Sequence, residues 1–205
     1  LDETVRYPVF MRFEDQHIGA LTPLLKTRAE AEDWIAQLAA DGEQMDRIIA
    51  TEFVETIDHQ RLYRKFGAFR IAGKIVPRHM FVGTHWEVKQ ATNTKSAFRR
   101  REEYGYLREN PHADRILEIF DMAGLQYGRI DYALKDGRIQ VWEINDNPQC
   151  NSSLVRYYKG RFGRNLLSLA GMDRAFSILE SRIEAGKPLE IKFAEGVTKE
   201  ALCAR

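Results

Sequence analysis

Alternation of apolar and polar side chains along the chain predicts two single β-strands and two β-hairpins. The first hairpin turns at Ala72 and Gly73, and the second turns at Asp136 and Gly137, an Asp-Gly pair that is typical of hairpin turns. β-Branched and aromatic side chains are frequent in the predicted strands. These strands are predicted at residues 7–13, 47–54, 61–71 and 74–82 and in two stretches of 127–142.

Apolar residues at helical spacing predict three helices, at residues 27–42, 113–123 and 165–185. Thr27 and Glu30 form a capping box at the start of the first helix. Pro111 precedes the second helix and Gly124 ends it. Antiparallel hairpins interrupted by helices are typical of an α+β fold, and we predict that class.

The amino-acid composition is typical of a globular protein. The chain has 205 residues, of which 44% are hydrophobic and 30% charged, as in ordinary globular proteins. It has no apolar run long enough for a membrane span and no basic-then-apolar leader, so we expect a cytoplasmic protein without membrane attachment. Cys150 and Cys203 lie in no CxxC spacing, which indicates neither a disulfide framework nor a cysteine metal site. The sequence leaves open whether the protein forms a homodimer.

The near-neutral net charge of +1 hides an uneven distribution. Residues 30–58 carry nine acidic and one basic side chain, whereas residues 61–108 carry twelve basic and three acidic ones. The basic stretch is either a set of solvated charges or a site for a polyanion. Arg64, Lys65, Arg78 and Lys89 alternate with apolar residues on predicted strands, which favours a cleft lined with cations around a polyphosphate over a nucleic-acid surface.

Polar side chains that can hold a metal concentrate in the second hairpin. Arg129 and Asp131 lie on its first strand, and Glu143 and Asn145 on its second. Two carboxylates and an amide oxygen suit Mg²⁺ that also binds phosphate. The alternative is a solvated cross-strand network of ion pairs.

The register of this hairpin decides whether those side chains share a face. A regular two-residue turn would place Asp131 opposite Trp142 and send Glu143 to the other face. A three-residue loop with Gly137 in the left-handed position would place Asp131 opposite Val141 and Arg129 opposite Glu143. We therefore predict the three-residue loop or an equivalent bulge.

The stretch GRIDYALKDGRIQVWEINDNP, residues 128–148, resembles the R-x-D and E-x-N-x-x-P strands of the ATP-grasp superfamily. That superfamily includes D-alanine:D-alanine ligase, glutathione synthetase and ribosomal-protein glutamate ligase. The resemblance implies an ATP-grasp fold, in which two α+β subdomains clasp a nucleotide between antiparallel sheets. It implies subdomains at residues 1–54 and 55–187, a tail at 188–205, and a further domain ahead of Leu1.

The same resemblance implies ATP and Mg²⁺ as cofactors and assigns roles to residues of this sequence. Arg129 is expected to steady the transferring phosphoryl group, with Arg78 as a further catalytic cation. Arg12 takes the place of the family's phosphate-binding lysine, and the phosphate loop at 14–19 has a single glycine. The implied metal ligands are Asp131, Glu143 and Asn145, and the implied nucleotide-binding residues are Arg12, His17, Glu52, Phe53, Val54, Lys65 and Lys89.

We therefore expect a ligase that forms an acylphosphate from a small-molecule or peptide carboxylate, for attack by an amine or a thiol. Two alternatives remain. One is a kinase on the same fold that phosphorylates a hydroxyl group. The other is a non-catalytic descendant that binds a nucleotide or a protein partner. The single glycine of the phosphate loop favours this alternative.

Overall fold

Two units, Leu1–Thr56 and Ile57–Arg205, make up the chain. The structure is a computed structural model, and it describes residues 4–14, 19–89, 96–148 and 162–184. His17 and the predicted tail at 188–205 lie outside the described residues.

The first unit pairs two short strands next to one helix. Strands β1 (Val9–Phe13) and β2 (Ile48–Glu52) are antiparallel, and helix α1 (Arg28–Ala40) lies between them in sequence, followed by a 3₁₀ turn at Met45–Arg47. The helix begins as predicted, because the Glu30 backbone N–H donates to Thr27 Oγ1 at 3.2 Å. The core of the unit is apolar and consists of Val9, Met11, Leu25, Ala31 and Leu38.

The second unit contains a four-stranded antiparallel sheet. Its strands are β3 (Tyr63–Ile71), β4 (Lys74–Gly83), β5 (Gly128–Lys135) and β6 (Arg138–Asn145), in the spatial order β4-β3-β5-β6. Both hairpins turn through two residues with positive φ, as expected for type I′ turns: Ala72 and Gly73 in one, Asp136 and Gly137 in the other. The predicted hairpins and the α+β class are confirmed.

Two helices cover one face of this sheet. They are α2 (Ala97–Glu109) and α3 (Ala113–Met122). Sequence periodicity predicted α3, whereas α2 was missed. Their buried residues join one core with side chains of the central strands: Leu62, Phe66, Ala68, Met80, Val82, Tyr106, Leu107, Ile116, Phe120, Ile130 and Tyr132.

Helix α4 (Phe162–Glu184) packs on the other face of the sheet. It corresponds to the helix predicted at residues 165–185. Its Met172 and Ala175 contact a smaller core formed by Phe69, Ile71 and Val76. Within the described residues, no helix is both long and apolar enough to cross a membrane.

Candidate functional site

One row of four residues crosses the sheet from β4 to β6. His79 pairs with Gly67, Gly67 pairs with Asp131, and Asp131 pairs with Glu143. Residues that pair across antiparallel strands share a face, so all four lie on the face opposite α2 and α3. Alternation along the strands adds Lys65, Arg129 and Asn145 to that face. We call His79, Lys65, Arg129, Asp131, Glu143 and Asn145 the polar cluster.

Two β-bulges adjoin the row, one on each edge strand. The register shifts by one residue on β4, where Arg78 is the extra residue, and on β6, where Trp142 is the extra residue. The predicted three-residue loop is wrong, because the turn at Asp136 and Gly137 has two residues. A bulge replaces it and restores the shared face, which is the other form that the sequence predicted.

The bulge also changes which residues are partners. Asp131 lies opposite Glu143, not Val141, and Arg129 lies opposite Asn145, not Glu143. The prediction placed the extra residue in the turn. In the structure, four pairs of β5 and β6 follow the turn before the extra residue Trp142 interrupts the register. The two implied carboxylate ligands are therefore direct cross-strand neighbours, with Cβ atoms about 4.5–5.5 Å apart by the geometry of such pairs.

Asp131 is the buried anion of the cluster. Only 5% of the residue is exposed. Lys65 Nζ lies 2.8 Å from its Oδ2, and Arg129 Nε lies 3.2 Å from its Oδ1. Burial by itself would raise the pKa of Asp131, but His79, Lys65 and Arg129 outweigh it and hold that pKa below its ordinary value. The carboxylate is therefore ionised at neutral pH.

His79 lies over Gly67, between the edge strand and the strand that carries Asp131. A Cβ atom at Gly67 would come within 2.5–3.0 Å of three atoms of the imidazole ring. Phe81 stacks on the ring with centroids 4.2 Å apart. Burial lowers the pKa of His79 to about 3, so the ring is neutral at neutral pH. Sequence reasoning missed His79 and Gly67, because their contact depends on a register that only the fold reveals.

A chain of buried hydroxyl groups supports Gly67 from the other face. The Tyr106 hydroxyl donates to the Gly67 carbonyl oxygen at 3.0 Å, and the Tyr132 hydroxyl donates to Tyr106 at 3.3 Å. His112 Nδ1 lies 2.9 Å from the Tyr132 hydroxyl. Burial raises the pKa of both tyrosines, so the hydroxyls stay protonated and keep the strand fixed.

The polar cluster offers oxygen ligands that fit Mg²⁺. Asp131 Oδ1 is buried and makes no hydrogen bond with any described residue, and Glu143 lies next to it. Asn145 Oδ1 accepts the backbone N–H of Asn147 at 2.9 Å, which holds the amide at the end of β6. Mg²⁺ commonly takes one or two carboxylates together with phosphate oxygens and water. In the described part of the chain, no three histidine, cysteine or acidic residues gather as a metal site, so the fit depends on two carboxylates and an amide.

The other predicted cations of the second unit differ in their positions. Arg78 is part-buried at the bulge, and its positive charge helps to lower the pKa of His79. Lys89 is exposed on the segment after β4, not on a strand as predicted, and its Nζ lies 2.9 Å from Glu87 Oε1. Arg64 was expected in the cation-lined cleft, but it points to the opposite face, where it pairs with Asp58 and Glu102. Alternation along β3 separates it from Lys65.

Arg12, Glu52, Phe53 and Val54 belong to the first unit. Arg12 Nε donates to the Phe13 carbonyl oxygen at 3.1 Å. The Glu52 carboxylate accepts from the backbone N–H and the guanidinium of Arg6, both at 3.0 Å. The Phe53 N–H donates to the Pro8 carbonyl oxygen at 2.9 Å, so this main-chain donor is already used.

Solved structures with a similar course of the chain include two of D-alanine–D-alanine ligase from Bacillus anthracis. One is 14% identical over 72% of this chain and 46% of the ligase chain, with a TM-score of 0.40. The other, complexed with ATP, is 16% identical over 88% of this chain and 56% of the ligase chain, with a TM-score of 0.42. This chain thus spans about half the length of the ligase chains.

No protein-family profile and no curated protein matches the sequence. At the identities and TM-scores of the two ligase structures, the likeness assigns neither a family nor an activity.

Acid is expected to destabilise the second unit through His79. An unfolded histidine titrates near 6.5, whereas burial lowers the pKa of His79 to about 3, with Asp131 opposing the shift and Lys65, Arg78 and Arg129 adding to it. Between these values the unfolded chain binds the additional proton. The free energy of unfolding should therefore fall as the pH drops from 6.5 towards 3, by up to about 1.4 kcal/mol per pH unit.

Urea unfolding of the wild type and of His79→Phe between pH 7 and pH 4 would measure this effect. We expect a flatter pH dependence in the variant, because phenylalanine cannot take up the proton. Equal slopes in the two proteins would contradict the assignment of the acid sensitivity to His79.

Proposed function

We propose that this chain is the catalytic part of an ATP- and Mg²⁺-dependent ligase of the ATP-grasp type, which joins a carboxylate to an amine or a thiol. The observation that carries the proposal is the bulge at Trp142. Without this extra residue in the register, Glu143 and Asn145 would leave the face that holds Asp131 and Arg129. The bulge therefore assembles the R-x-D and E-x-N residues into one cluster.

Charge supports a triphosphate as the ligand of this cluster. Lys65 and Arg129 contact Asp131, and Arg78 adds a third cation beside His79. Mg²⁺ held by Asp131, Glu143 and Asn145 would neutralise the phosphate charge and polarise the transferred phosphoryl group. The cations would then bind the remaining phosphate oxygens.

The reaction that we propose has two steps. A carboxylate oxygen of the substrate attacks the γ-phosphorus of ATP, the bond to the β,γ-bridging oxygen breaks, and ADP leaves with that electron pair. An amine or a thiol then attacks the acyl carbon and releases inorganic phosphate, while the nucleophile loses its proton. Arg129, which pairs with Asp131 in the free protein, would stabilise the negative charge that develops on the phosphoryl group.

The remaining assigned residues are part of the same proposal. Lys89, on the exposed segment after β4, would bind phosphate oxygens. For Arg12, His17, Glu52, Phe53 and Val54 the proposal keeps the nucleotide-binding roles that the ATP-grasp resemblance implies. The acceptor would be a small-molecule or peptide carboxylate, and we propose no nucleic-acid or membrane partner.

Removing Mg²⁺ is the direct test of this function. Calorimetry should detect binding of ATP in the presence of Mg²⁺, and we expect affinity to fall at least about tenfold when EDTA replaces the metal, because the triphosphate charge is then neutralised less completely. AMP serves as the control, since it lacks the terminal phosphates and should show little dependence on Mg²⁺.

Failure of the folded wild type to bind ATP with Mg²⁺ would contradict the proposal. Product analysis with mixtures of carboxylates, amines and thiols would then define the reaction. A condensed product with ADP and phosphate supports a ligase, whereas a phosphorylated hydroxyl compound would indicate a kinase.

A further inference from the structure

Three buried polar atoms of the polar cluster make no hydrogen bond with any described residue. They are His79 Nε2, Asp131 Oδ1 and Arg129 Nε. Arg129 Nε forms an ion pair with Asp131 Oδ1 at 3.2 Å but does not meet hydrogen-bond geometry. Buried polar atoms without hydrogen bonds are rare and costly, so three of them in one cluster call for a specific explanation.

Gly67 allows the two residues to approach one another across a strand. β4 and β5 are not neighbours, because β3 lies between them, and two strand spacings amount to about 9.6 Å. A side chain at position 67 would fill the space above β3. With glycine there, the imidazole of His79 occupies that space, within 2.5–3.0 Å of where a Cβ atom would be. The ring therefore extends from β4 over the middle strand towards the strand that carries Asp131.

Phe81 fixes the plane of the ring. Its aromatic ring is nearly parallel to the imidazole, with an angle of 12° and a centroid distance of 4.2 Å. The Tyr106 hydroxyl holds the Gly67 carbonyl oxygen from the opposite face at 3.0 Å. His79 is thus a hydrogen-bonding group that is held in a fixed position above β3.

Lys65 and Arg129 hold the Asp131 carboxylate in the free protein. Both are cations, and an anionic phosphate group bound to the cluster would compete with Asp131 for them. The imidazole of His79 is instead held in place over Gly67 by its stacking on Phe81. His79 therefore remains available to Asp131 at the stage when the two cationic partners of Asp131 are engaged elsewhere.

We infer that His79 is a positioning residue for Asp131: its Nε2–H donates to Asp131 Oδ1 when the polar cluster holds ATP with Mg²⁺. The inference rests on the proposed function and deepens it. The hydrogen bond would orient the carboxylate, and it would satisfy two of the three buried atoms that make no hydrogen bond with any described residue. Hydrogen bonds of this kind to metal-binding carboxylates tune metal affinity in many proteins.

His79→Phe tests the role of the donor. Phenylalanine keeps the ring and its stacking on Phe81 but removes the N–H group. We expect the apparent Mg²⁺ affinity, measured by calorimetry at fixed ATP, to fall on the order of 10- to 100-fold. The unfolding temperature of the free protein at neutral pH should not fall, because Nε2 makes no hydrogen bond with any described residue. His79→Gln, which offers an N–H donor, should recover part of the affinity.

Gly67→Ala tests the same contact without changing His79. The added methyl group would collide with the imidazole and displace it, so the variant should reproduce the loss of Mg²⁺ affinity. In a His79→Ala background the collision is gone, and Gly67→Ala should then cause little further loss. This non-additivity is the signature of two residues that act through one contact.

The results separate this inference from the proposed function. Wild-type protein that binds no ATP with Mg²⁺ would overturn both. Normal nucleotide binding in the wild type, with an unchanged Mg²⁺ dependence in His79→Phe and Gly67→Ala, would overturn the positioning role alone. A loss of free-protein stability in His79→Phe, with unchanged Mg²⁺ affinity, would likewise show a purely structural histidine.

Discussion

Asp131→Asn is expected to bind ATP with Mg²⁺ on the order of 100-fold more weakly than the wild type. The amide has the same shape as the carboxylate but carries no charge, so the metal loses a charged ligand. A charge-assisted contact is worth roughly 1.5–3 kcal/mol, and each 1.4 kcal/mol corresponds to a factor of ten in affinity. Calorimetric titration of the variant, at the Mg²⁺ concentration used for the wild type, measures the change.

A matched control removes an acidic group elsewhere in the second unit. Glu118 is exposed on α3 and forms an ion pair with Arg115 on the same helix. Glu118→Gln should therefore bind ATP as the wild type does. Nucleotide affinity that is unchanged in folded Asp131→Asn would remove Asp131 from the metal site and, with it, the main support for the ligase proposal.

Arg164→Leu is expected to lower the free energy of unfolding by about 3–5 kcal/mol. Arg164 Nε lies 2.7 Å from Glu103 Oε2, and the two side chains are only 7% and 4% exposed. The variant leaves a buried carboxylate without this guanidinium, and a charge in such surroundings is costly. Glu103 also accepts the Met80 N–H on the edge strand β4, so its position matters to the sheet. Urea unfolding monitored by circular dichroism measures the loss.

Two further variants identify the cause. Arg174→Leu removes an exposed cation from the same helix and should change the free energy of unfolding by no more than about 0.5 kcal/mol. The double variant Glu103→Leu with Arg164→Leu should recover much of the lost stability, because neither charge remains buried. If the double variant is as unstable as Arg164→Leu, lost packing and not the isolated charge explains the effect.

The positions of the two turns and the start of α1 could be predicted from the sequence, because short-range chemistry determines them. Ala72 with Gly73 and Asp136 with Gly137 both adopt the left-handed backbone that a two-residue hairpin turn requires. Thr27 likewise caps α1 with its own side chain. Each of these features depends on residues only a few positions apart.

Helix α2 could not be predicted from apolar periodicity. Its buried positions include the charged Glu103 beside Tyr106 and Leu107, so the pattern along this stretch is mostly polar. The carboxylate is accommodated because Arg164 comes from α4, which is far away in sequence. Ser96, which caps the helix by accepting the Arg99 N–H, was the local signal that could have indicated it.

The metal-binding candidates could be grouped from the sequence, but their pairing could not. Alternation along the second hairpin places Asp131 and Glu143 on one face only if the hairpin contains a three-residue loop or a bulge. The extra residue is Trp142, which lies well beyond the turn, and the sequence of the turn does not determine that position. Neither Gly67 nor His79 belongs to any motif, and the contact between them follows from the order of the strands.

The contact between Gly67 and His79 also constrains how this sequence can vary. Position 67 can gain a side chain without strain only if position 79 first loses its ring, because the two would occupy the same volume. The order of substitutions is therefore restricted, and a chain that acquired the larger residue at 67 first would pass through a strained intermediate. Natural variants of this protein should accordingly keep the glycine and the histidine together or exchange them together.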